Sequence, residues 1–292
     1  MIALVLFLLA GLSFGQEFTN IKVEKLTEDA GFAEGPAWSI DGYLLFSDTV
    51  ANKIRKFVPG KGIVDYADRE GGPIGNSYDA EGRLYSCEFR ARRVTRTAKN
   101  GKVDVIAARF NGKRFNAPND IVVRRDGHAY FTDPAFGNQE DTRELDFYGV
   151  FHLSPKGDVD LVAKWKTRPN GITLSPNGRT LYVSDSDDHL VRAYDVEKSG
   201  AASNERVVVR NIPGIPDGIR TDEKGNLYVA AKSIFVYATP SGAGDGKLLG
   251  RIDFSETPSN LTFGDPDEES LYVTARNSVY RVRIGSKGAL QY

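Results

Sequence analysis

The chain has 292 residues with 38 basic and 39 acidic side chains, so its formal net charge is −1. This balance leaves no basic stripe and argues against nucleic acid as a partner. Cys87 is the only cysteine, which excludes an internal disulfide and zinc sites built from paired cysteines. Packing must therefore stabilise the fold, and the length is sufficient for one large all-β domain.

The first fifteen residues differ from the rest of the chain. Residues 2–10 are an unbroken apolar run, and small residues follow before polar sequence begins at Gln16. The run is too short to span a bilayer and its exit is typical of a signal peptide, with a hydrophobic N-terminal strand as the alternative. We therefore expect residues 1–15 to be a signal peptide and the protein to be secreted or periplasmic. Residues 16–292 are expected to form a single domain without a membrane span.

A short phrase then recurs six times, each time with a glycine or proline beside Glu, Asn or Asp. The six copies are Glu34-Gly35-Pro36, Gly75-Asn76-Ser77, Pro118-Asn119-Asp120, Pro169-Asn170-Gly171, Pro216-Asp217-Gly218 and Pro258-Ser259-Asn260. Their polar residues are 42, 43, 51, 47 and 43 positions apart. Self-similarity with a period of about 40–50 residues is typical of propellers and solenoids.

Each phrase is followed by a turn and then by a run of aromatic and β-branched residues. Asp41-Gly42 precedes residues 43–48, for example, and Asn177-Gly178 precedes residues 179–185. Such pairs supply the positive φ that tight hairpins need, and the runs after them suit buried strands. A third, alternating segment follows in every copy, and a fourth strand is predicted in most copies.

Four antiparallel strands repeated six times predict an all-β fold, a six-bladed β-propeller. Residues 21–26 alternate and precede the first phrase, so we expect them to form the outer strand of the last blade and close the ring. Residues 138–147 are predicted to be a loop. A solenoid is the competing repeat fold, but it would need atypical capping repeats, and none of the six copies is atypical enough.

The innermost strand of a propeller blade lines the central channel, so the polar residues of the six phrases are expected to point toward one axis. They are Glu34, Asn76, Asn119, Asn170, Asp217 and Asn260. Carboxylate and amide oxygens form a donor set that hard cations such as Ca²⁺ prefer. Asn and Asp are also common turn residues, so any single position is open to that reading. The recurring prolines and the glutamate of the first copy favour a metal site for the whole set.

Several phrases, taken in order, also carry a resemblance to a known family. They are Glu34-Gly-Pro-Ala-Trp38, Pro118-Asn-Asp-Ile121, Tyr130-Phe-Thr-Asp-Pro134, Pro169-Asn-Gly-Ile172, Leu181-Tyr-Val-Ser-Asp185, Pro216-Asp-Gly-Ile219 and Asn260-Leu-Thr-Phe-Gly264. Over roughly residues 25–285 the chain resembles the gluconolactonase / senescence-marker-protein / regucalcin-like family. Its members are six-bladed propellers that hydrolyse sugar lactones with one divalent metal at the axis.

The resemblance implies roles for four residues. Glu34, Asn170 and Asp217 match the metal ligands, and Asn119 matches a position that ligates the metal or contacts the substrate. Asp217 and Asn119 are therefore the expected catalytic residues. Asp217 would orient or deprotonate the attacking water or attack as a nucleophile, while the metal polarises the lactone carbonyl. Ca²⁺ is the expected ion, with Zn²⁺, Mg²⁺ and Mn²⁺ as alternatives.

Two departures from the family leave the sugar specificity open. Ala117 stands where animal members carry a substrate-binding arginine, and the carboxylate that those members use falls near Gly137. Candidate substrate-contacting residues are Asn76, Arg114, Asn116, Asp133 and Asn260. A structural role at the end of a strand is the alternative for Asp133.

The leading interpretation is a metal-dependent hydrolase that acts, as a monomer, on a small lactone or similar ester. Two alternatives remain open. One is phosphotriester hydrolysis at the same metal. The other is a non-catalytic propeller that binds a ligand and holds a structural calcium ion.

Overall fold

A computed structural model gives the structure of residues 18, 21–240 and 244–289. These residues form six four-stranded antiparallel sheets, each built from consecutive strands. The first strands of neighbouring sheets contact each other from the first sheet to the sixth and back to the first. The six-bladed β-propeller predicted from the repeat is therefore confirmed. The predicted signal peptide, residues 1–15, lies outside the described residues.

The strands of each blade are numbered from the axis outward. Blade 1 contains Ala33–Ser39, Tyr43–Asp48, Lys53–Val58 and Gly62–Asp68, and blade 2 contains Pro73–Tyr78, Leu84–Glu88, Arg93–Thr97 and Val103–Ala107. Blade 3 contains Ile121–Val123, Ala129–Asp133, Tyr148–Leu153 and Val159–Trp165, and blade 4 contains Pro169–Leu174, Thr180–Asp185, Leu190–Val196 and Ala202–Val209. Blade 5 contains Ile219–Thr221, Asn226–Ala230, Ile234–Ala238 and Lys247–Ile252. Blade 6 contains Pro258–Gly264, Ser270–Ala275, Ser278–Arg283 and, as its fourth strand, Val23–Thr27.

The ring is closed by pairing the two ends of the chain. Val23–Thr27 runs antiparallel to Ser278–Arg283, with Val23 opposite Val282. This is the closure expected for residues 21–26. Between blades 2 and 3, Arg109–Phe110 pairs with Lys113–Arg114 in a small hairpin.

The predicted loop at residues 138–147 contains a short 3₁₀ helix, Gly137–Thr142. In the described part of the chain, no helix has the length and hydrophobicity of a membrane span.

The hydrophobic core lies between the blades. The second strands are buried along most of their length, and Tyr130 of blade 3 packs in one cluster with Ile172 and Val183 of blade 4. The fourth strands are partly exposed, as Gly62–Asp68 shows. Because each blade buries both faces against its neighbours, the inner strands are fixed in position at the axis.

Neighbouring first strands approach so closely at the axis that a side chain does not fit between them. A Cβ atom added at Gly75 would lie 2.4 Å from the carbonyl oxygen of Asn119, and one added at Gly171 would lie 2.3 Å from the carbonyl oxygen of Asp217. The glycines at this close approach are Gly35, Gly75, Gly171 and Gly218. These positions therefore require glycine because of the approach of a neighbouring backbone.

Hydrogen bonds cross every junction between blades at this level. They are Asn76 Nδ2 to Gly35 O (2.8 Å), Gly75 N to Asn119 O (2.8 Å), Ile172 N to Asp120 Oδ2 (3.2 Å), Gly171 N to Asp217 O (3.2 Å), Gly218 N to Ser259 O (2.8 Å) and Asn260 Nδ2 to Glu34 Oε2 (3.3 Å). The six blades are thus joined into one closed ring of contacts around the axis.

Gly75→Ala is expected to destabilise the fold, because the new Cβ would lie 2.4 Å from Asn119 O and 2.5 Å from the Cα of Asp120. Overpacking costs about 1–3 kcal/mol, and the displaced main-chain hydrogen bond adds about 0.5–1.5 kcal/mol. Gly101→Ala is the control, because it has no neighbouring atom within 4 Å and bears only the left-handed backbone cost of about 1 kcal/mol. Urea unfolding measures both changes, and equal losses would contradict the steric argument.

Candidate active site at the hub

Strand pairing identifies one equivalent residue at the axial start of each first strand. Ala33 of blade 1 lies opposite Asp48, the last residue of the second strand, and a proline takes this position in blades 2, 4 and 6. In blades 3 and 5 the main-chain N–H groups of Asn119 and Asp217 bond to the second strand at the matching point. The equivalent residue of each blade is the one that follows Ala33 or the proline, or that carries this N–H group in blades 3 and 5. The six equivalent residues, called here the hub ring, are Glu34, Ile74, Asn119, Asn170, Asp217 and Ser259. The hub ring therefore brings together the four metal-site residues predicted from the sequence.

Glu34 is buried at the junction between blades 6 and 1. Its Oε2 atom accepts hydrogen bonds from Gly35 N (2.8 Å) and from Asn260 Nδ2 (3.3 Å). The pKa of Glu34 is raised to about 7, mainly by loss of hydration and also by the negative charge of Asp120, while these hydrogen bonds oppose the rise. Asn260 lies one residue beyond the hub ring of its blade and contacts Glu34 from there.

Asp217 is the second carboxylate of the hub ring. Part of its surface is accessible, yet the surrounding protein removes enough water to raise its pKa well above the ordinary value. The negative charges of Glu34 and Asp120 raise the pKa further, while hydrogen bonds from Asn170 and Gly218 oppose the shift. The two ring carboxylates therefore repel each other across a shared space.

The two ring amides differ in their surroundings. Asn170 is 5% exposed, and its Nδ2 donates to Ser186 Oγ (3.1 Å), while its Oδ1 has no hydrogen-bond partner among the described residues. Asn119 is half-buried, and its carbonyl oxygen accepts from Gly75 N. An unpaired, buried amide oxygen is costly unless a donor or a cation meets it.

These donors fit a hard divalent cation. Two carboxylates, from Glu34 and Asp217, and the unpartnered Oδ1 of Asn170 supply only oxygen, which suits Ca²⁺ or Mg²⁺ better than a soft metal. Across residues 18, 21–240 and 244–289, no group of three or more His, Cys, Asp or Glu side chains could hold a metal ion. A cation at the hub would therefore depend on the amide oxygen as well as on the carboxylates.

A third carboxylate lies directly beyond the hub ring, and the sequence analysis did not select it. Asp120 is fully buried, and its Oδ2 accepts from Ile172 N (3.2 Å) and from Arg220 Nη1 (3.4 Å). Asp120 directly follows the ring residue of its blade, a position at which four other blades have glycine, and this difference is what could have identified it in the sequence. The negative charge of Asp120 acts on both ring carboxylates.

Asn76, a predicted substrate contact, lies two residues beyond the ring residue of its blade, Ile74. Its Nδ2 donates to Gly35 O (2.8 Å) and Ser47 Oγ (2.8 Å), and its Oδ1 accepts from Ser86 Oγ (2.6 Å). The amide therefore joins blades 1 and 2 and has both of its ends engaged within the protein.

The other three candidates lie around the loop that leads into the hub ring. Both carboxylate oxygens of Asp133 accept main-chain N–H groups, from Asn116 (2.7 Å) and Ala117 (2.8 Å), which makes Asp133 the anchor of this loop. Burial raises the pKa of Asp133 to about 7. Asn116 is buried, whereas Arg114 is exposed and pairs with Glu144.

Comparison with known proteins gives a family match over most of the chain. The model of the "SMP-30/Gluconolactonase/LRE-like region" matches residues 32–277. A gluconolactonase from Zymomonas mobilis is 32% identical over 91% of this chain and 82% of its own length. A pentonolactonase from Haloferax volcanii is 26% identical over 82% of this chain and 80% of its own.

A solved structure gives the same match in three dimensions. The gluconolactonase structure from Xanthomonas campestris superposes with a TM-score of 0.82 at 31% identity, over 91% of this chain and 90% of that chain. The predicted resemblance to this family is confirmed.

In the metal-free protein, stability is expected to depend on pH through Glu34. Its pKa of about 7 lies above the ordinary value of 4.5, so between these values the folded state binds more protons than the unfolded state. The free energy of unfolding therefore falls as pH rises from about 4.5 to 7, by roughly 1–3 kcal/mol. Urea titrations of EDTA-treated protein at several pH values measure this slope. Glu34→Gln should reduce the slope, leaving the part that Asp133 and Asp217 contribute, and the exposed control Glu24→Gln should not. An unchanged slope in Glu34→Gln would contradict the assignment.

Proposed function

This chain belongs to the SMP-30/gluconolactonase/LRE-like family, and from that membership and its hub we propose that it is a divalent-metal-dependent lactonase. The observation that carries the proposal is the hub ring, in which Asp217 interacts with Glu34 and Asn170 of two other blades and Asn170 Oδ1 has no hydrogen-bond partner in the described structure. Relatives across most of the chain are named for lactone hydrolysis. We propose a small lactone as the substrate.

We propose Ca²⁺ as the ion. The oxygen-only donor set supports this choice, and two ring carboxylates offset the charge of a divalent cation. Glu34, Asn170 and Asp217 would hold the ion, with Asn119 beside it. When bound, the cation would supply Lewis-acid polarisation of the lactone carbonyl. Zn²⁺, Mg²⁺ and Mn²⁺ are the alternatives that the experiment below separates.

The residues of the chain have distinct roles in the proposed reaction. Asp217, whose surface is partly accessible, orients the attacking water and takes its proton. The oxygen of the water bonds to the carbonyl carbon, and the bond between that carbon and the ring oxygen breaks. The proton held by Asp217 then passes to the leaving oxygen, which gives the open hydroxy acid. Asn119, also partly accessible, would donate from Nδ2 to the substrate. Asn260 keeps Glu34 oriented through its hydrogen bond.

Protein stripped with EDTA and reloaded with one cation at a time is expected to hydrolyse glucono-δ-lactone, followed by pH-stat. Glu34→Gln and Asp217→Asn are expected to lower kcat/KM by about 10²–10³-fold, because the first weakens the hold on the cation and the second removes the group that takes the proton of the water. Asp195→Asn is the matched control, since Asp195 is half exposed and pairs with Arg206 away from the hub. Full activity after chelation, or variants as active as the wild type, would overturn the proposal.

The same assays distinguish the alternative functions. Turnover of a phosphotriester with no turnover of any lactone would assign another hydrolysis to the same hub. Ca²⁺ binding that depends on Glu34 and Asp217, without turnover of any lactone or ester, would indicate a binding propeller with a structural ion.

A further inference from the structure

Two exposed apolar side chains stand next to the two ring carboxylates along the chain. Phe32 is 39% exposed and precedes Glu34 by two residues. Ile215 is 63% exposed and precedes Asp217 by two residues. The Cα atoms of each pair are at most about 7 Å apart, because two residues of extended chain span no more than that. Both blades that carry a ring carboxylate therefore place a large apolar group near it and in contact with solvent.

The backbone places Phe32 on the same side of its strand as Glu34. Ala33, the residue between them, lies opposite Asp48 of the second strand. The pairing continues for one more residue, since Thr49 N donates to Phe32 O (2.9 Å). Side chains two residues apart in an extended strand lie on the same side. The ring of Phe32 therefore lies on the side of the buried Glu34 carboxylate, one step closer to solvent.

Ile215 has the matching relation to Asp217. Asp217 N donates to Ala230 O (2.8 Å), which ties the ring residue to the second strand of its blade. Ile215 directly precedes Pro216, and the ring of a proline restricts the residue before it to an extended backbone. The side chain of Ile215 therefore lies on the same side of the chain as the Asp217 carboxylate. The two apolar groups thus lie on the sides from which the ring carboxylates reach the hub.

The positions two residues before the hub ring offer few polar groups to a substrate. These positions, called here the rim, are Phe32, Gly72, Ala117, Arg168, Ile215 and Thr257. Gly72 and Ala117 carry no large side chain. Arg168 is engaged with Asp187, to which it donates from its main-chain N (2.8 Å) and from Nε (3.0 Å). Thr257 is exposed. Phe32 and Ile215 are therefore the large apolar groups that a substituent on a bound lactone would meet.

Val50 extends the apolar surface beside Phe32. It is 62% exposed, and its Cβ lies 2.6 Å from the point that a Cβ on Gly31 would occupy. The other large apolar side chains that the described structure exposes lie on fourth strands or in the turn at the far end of blade 1: Val64, Tyr66, Val103, Val105, Leu248 and Ile40. Exposed apolar groups that adjoin a polar site mark a surface for an apolar ligand group.

We propose that Phe32 and Ile215 bind an alkyl substituent of the lactone, so that lactones with an alkyl chain are preferred over bare lactone rings. The inference rests on the proposed lactonase function and adds the substrate class. With the carbonyl at the hub ring, a chain on the lactone ring extends toward solvent past these side chains. Contact removes apolar surface of both partners from water, and each methylene that is fully buried raises affinity about fourfold.

The experiment compares two lactones with the same six-membered ring, δ-decanolactone with its pentyl chain and unsubstituted δ-valerolactone. In the wild type, kcat/KM is expected to be roughly 10- to 100-fold higher for δ-decanolactone, because part of the pentyl chain is buried. Phe32→Ser and Ile215→Ser are each expected to lower the ratio of the two kcat/KM values by roughly 3- to 10-fold. Distortion of the hub would instead lower both values together and leave their ratio unchanged.

Two further variants serve as controls. Val105→Ser makes the same kind of change at a residue that is 53% exposed on the fourth strand of blade 2, and it should keep the wild-type ratio. Ile215→Leu retains an apolar group of equal size and should keep the ratio within roughly twofold. A wild-type ratio near one, or an unchanged ratio in both Phe32→Ser and Ile215→Ser, would overturn the proposal.

Two outcomes separate this inference from the proposed function. Turnover of glucono-δ-lactone without a preference for δ-decanolactone would keep the lactonase function and overturn the alkyl site alone. If the wild type hydrolyses no lactone, the function fails, and binding of δ-decanolactone is measured by saturation-transfer NMR. Binding that is lost in Phe32→Ser and Ile215→Ser and kept in Val105→Ser would still support the alkyl site. Absence of binding in the wild type, or equal binding in all proteins, would overturn it.

Discussion

Main-chain atoms of neighbouring first strands touch around the axis, where Gly75 and Gly171 leave no space for a side chain. This contact sets the radius of the ring, because any larger residue would push two blades apart. It also fixes the residue before each of these glycines, since the same bonds that join the strands hold that residue at the hub. The positions of Asn170 and Asp217 are therefore a consequence of backbone packing and do not depend on a flexible loop.

The ring gathers negative charge that the described protein offsets only in part. Glu34 and Asp217 act on each other, and Asp120 acts on both. The one cation in hydrogen-bond contact with this group in the described structure, Arg220, bonds to Asp120 beyond the ring. The ring carboxylates thus have amide and main-chain donors as partners and no positive charge. Two negative charges held close together in this way lower the free energy of unfolding. Binding of the proposed cation would restore that stability.

The repeat allowed the fold, the closure of the ring and the convergence of Glu34, Asn119, Asn170 and Asp217 on the hub to be predicted, because each depends on a spacing that strands impose. Register within a blade was harder to predict. Asn76 stands two residues beyond the ring position, which Ile74 takes in blade 2. The first strands of blades 1, 2, 4 and 6 all have a register shift at this point, so the polar residue of a phrase does not by itself fix the register. A bulge leaves no fixed mark in a single sequence.

Acidic side chains at the ends of the second strands anchor the loops that surround the hub ring. Asp48 accepts from Gly31 N (3.0 Å), and Asp133 accepts from Asn116 N (2.7 Å), so each carboxylate ties an incoming loop to its own blade. With its backbone held there, a loop can carry different side chains without moving the ring. Arg92 in blade 2, Asn52 in blade 1 and His189 in blade 4 each stand four residues after the last residue of the second strand and share a left-handed backbone, with different side chains. In the proposed enzyme, the chemistry thus belongs to the backbone-fixed hub, whose geometry does not depend on which side chains the anchored loops carry.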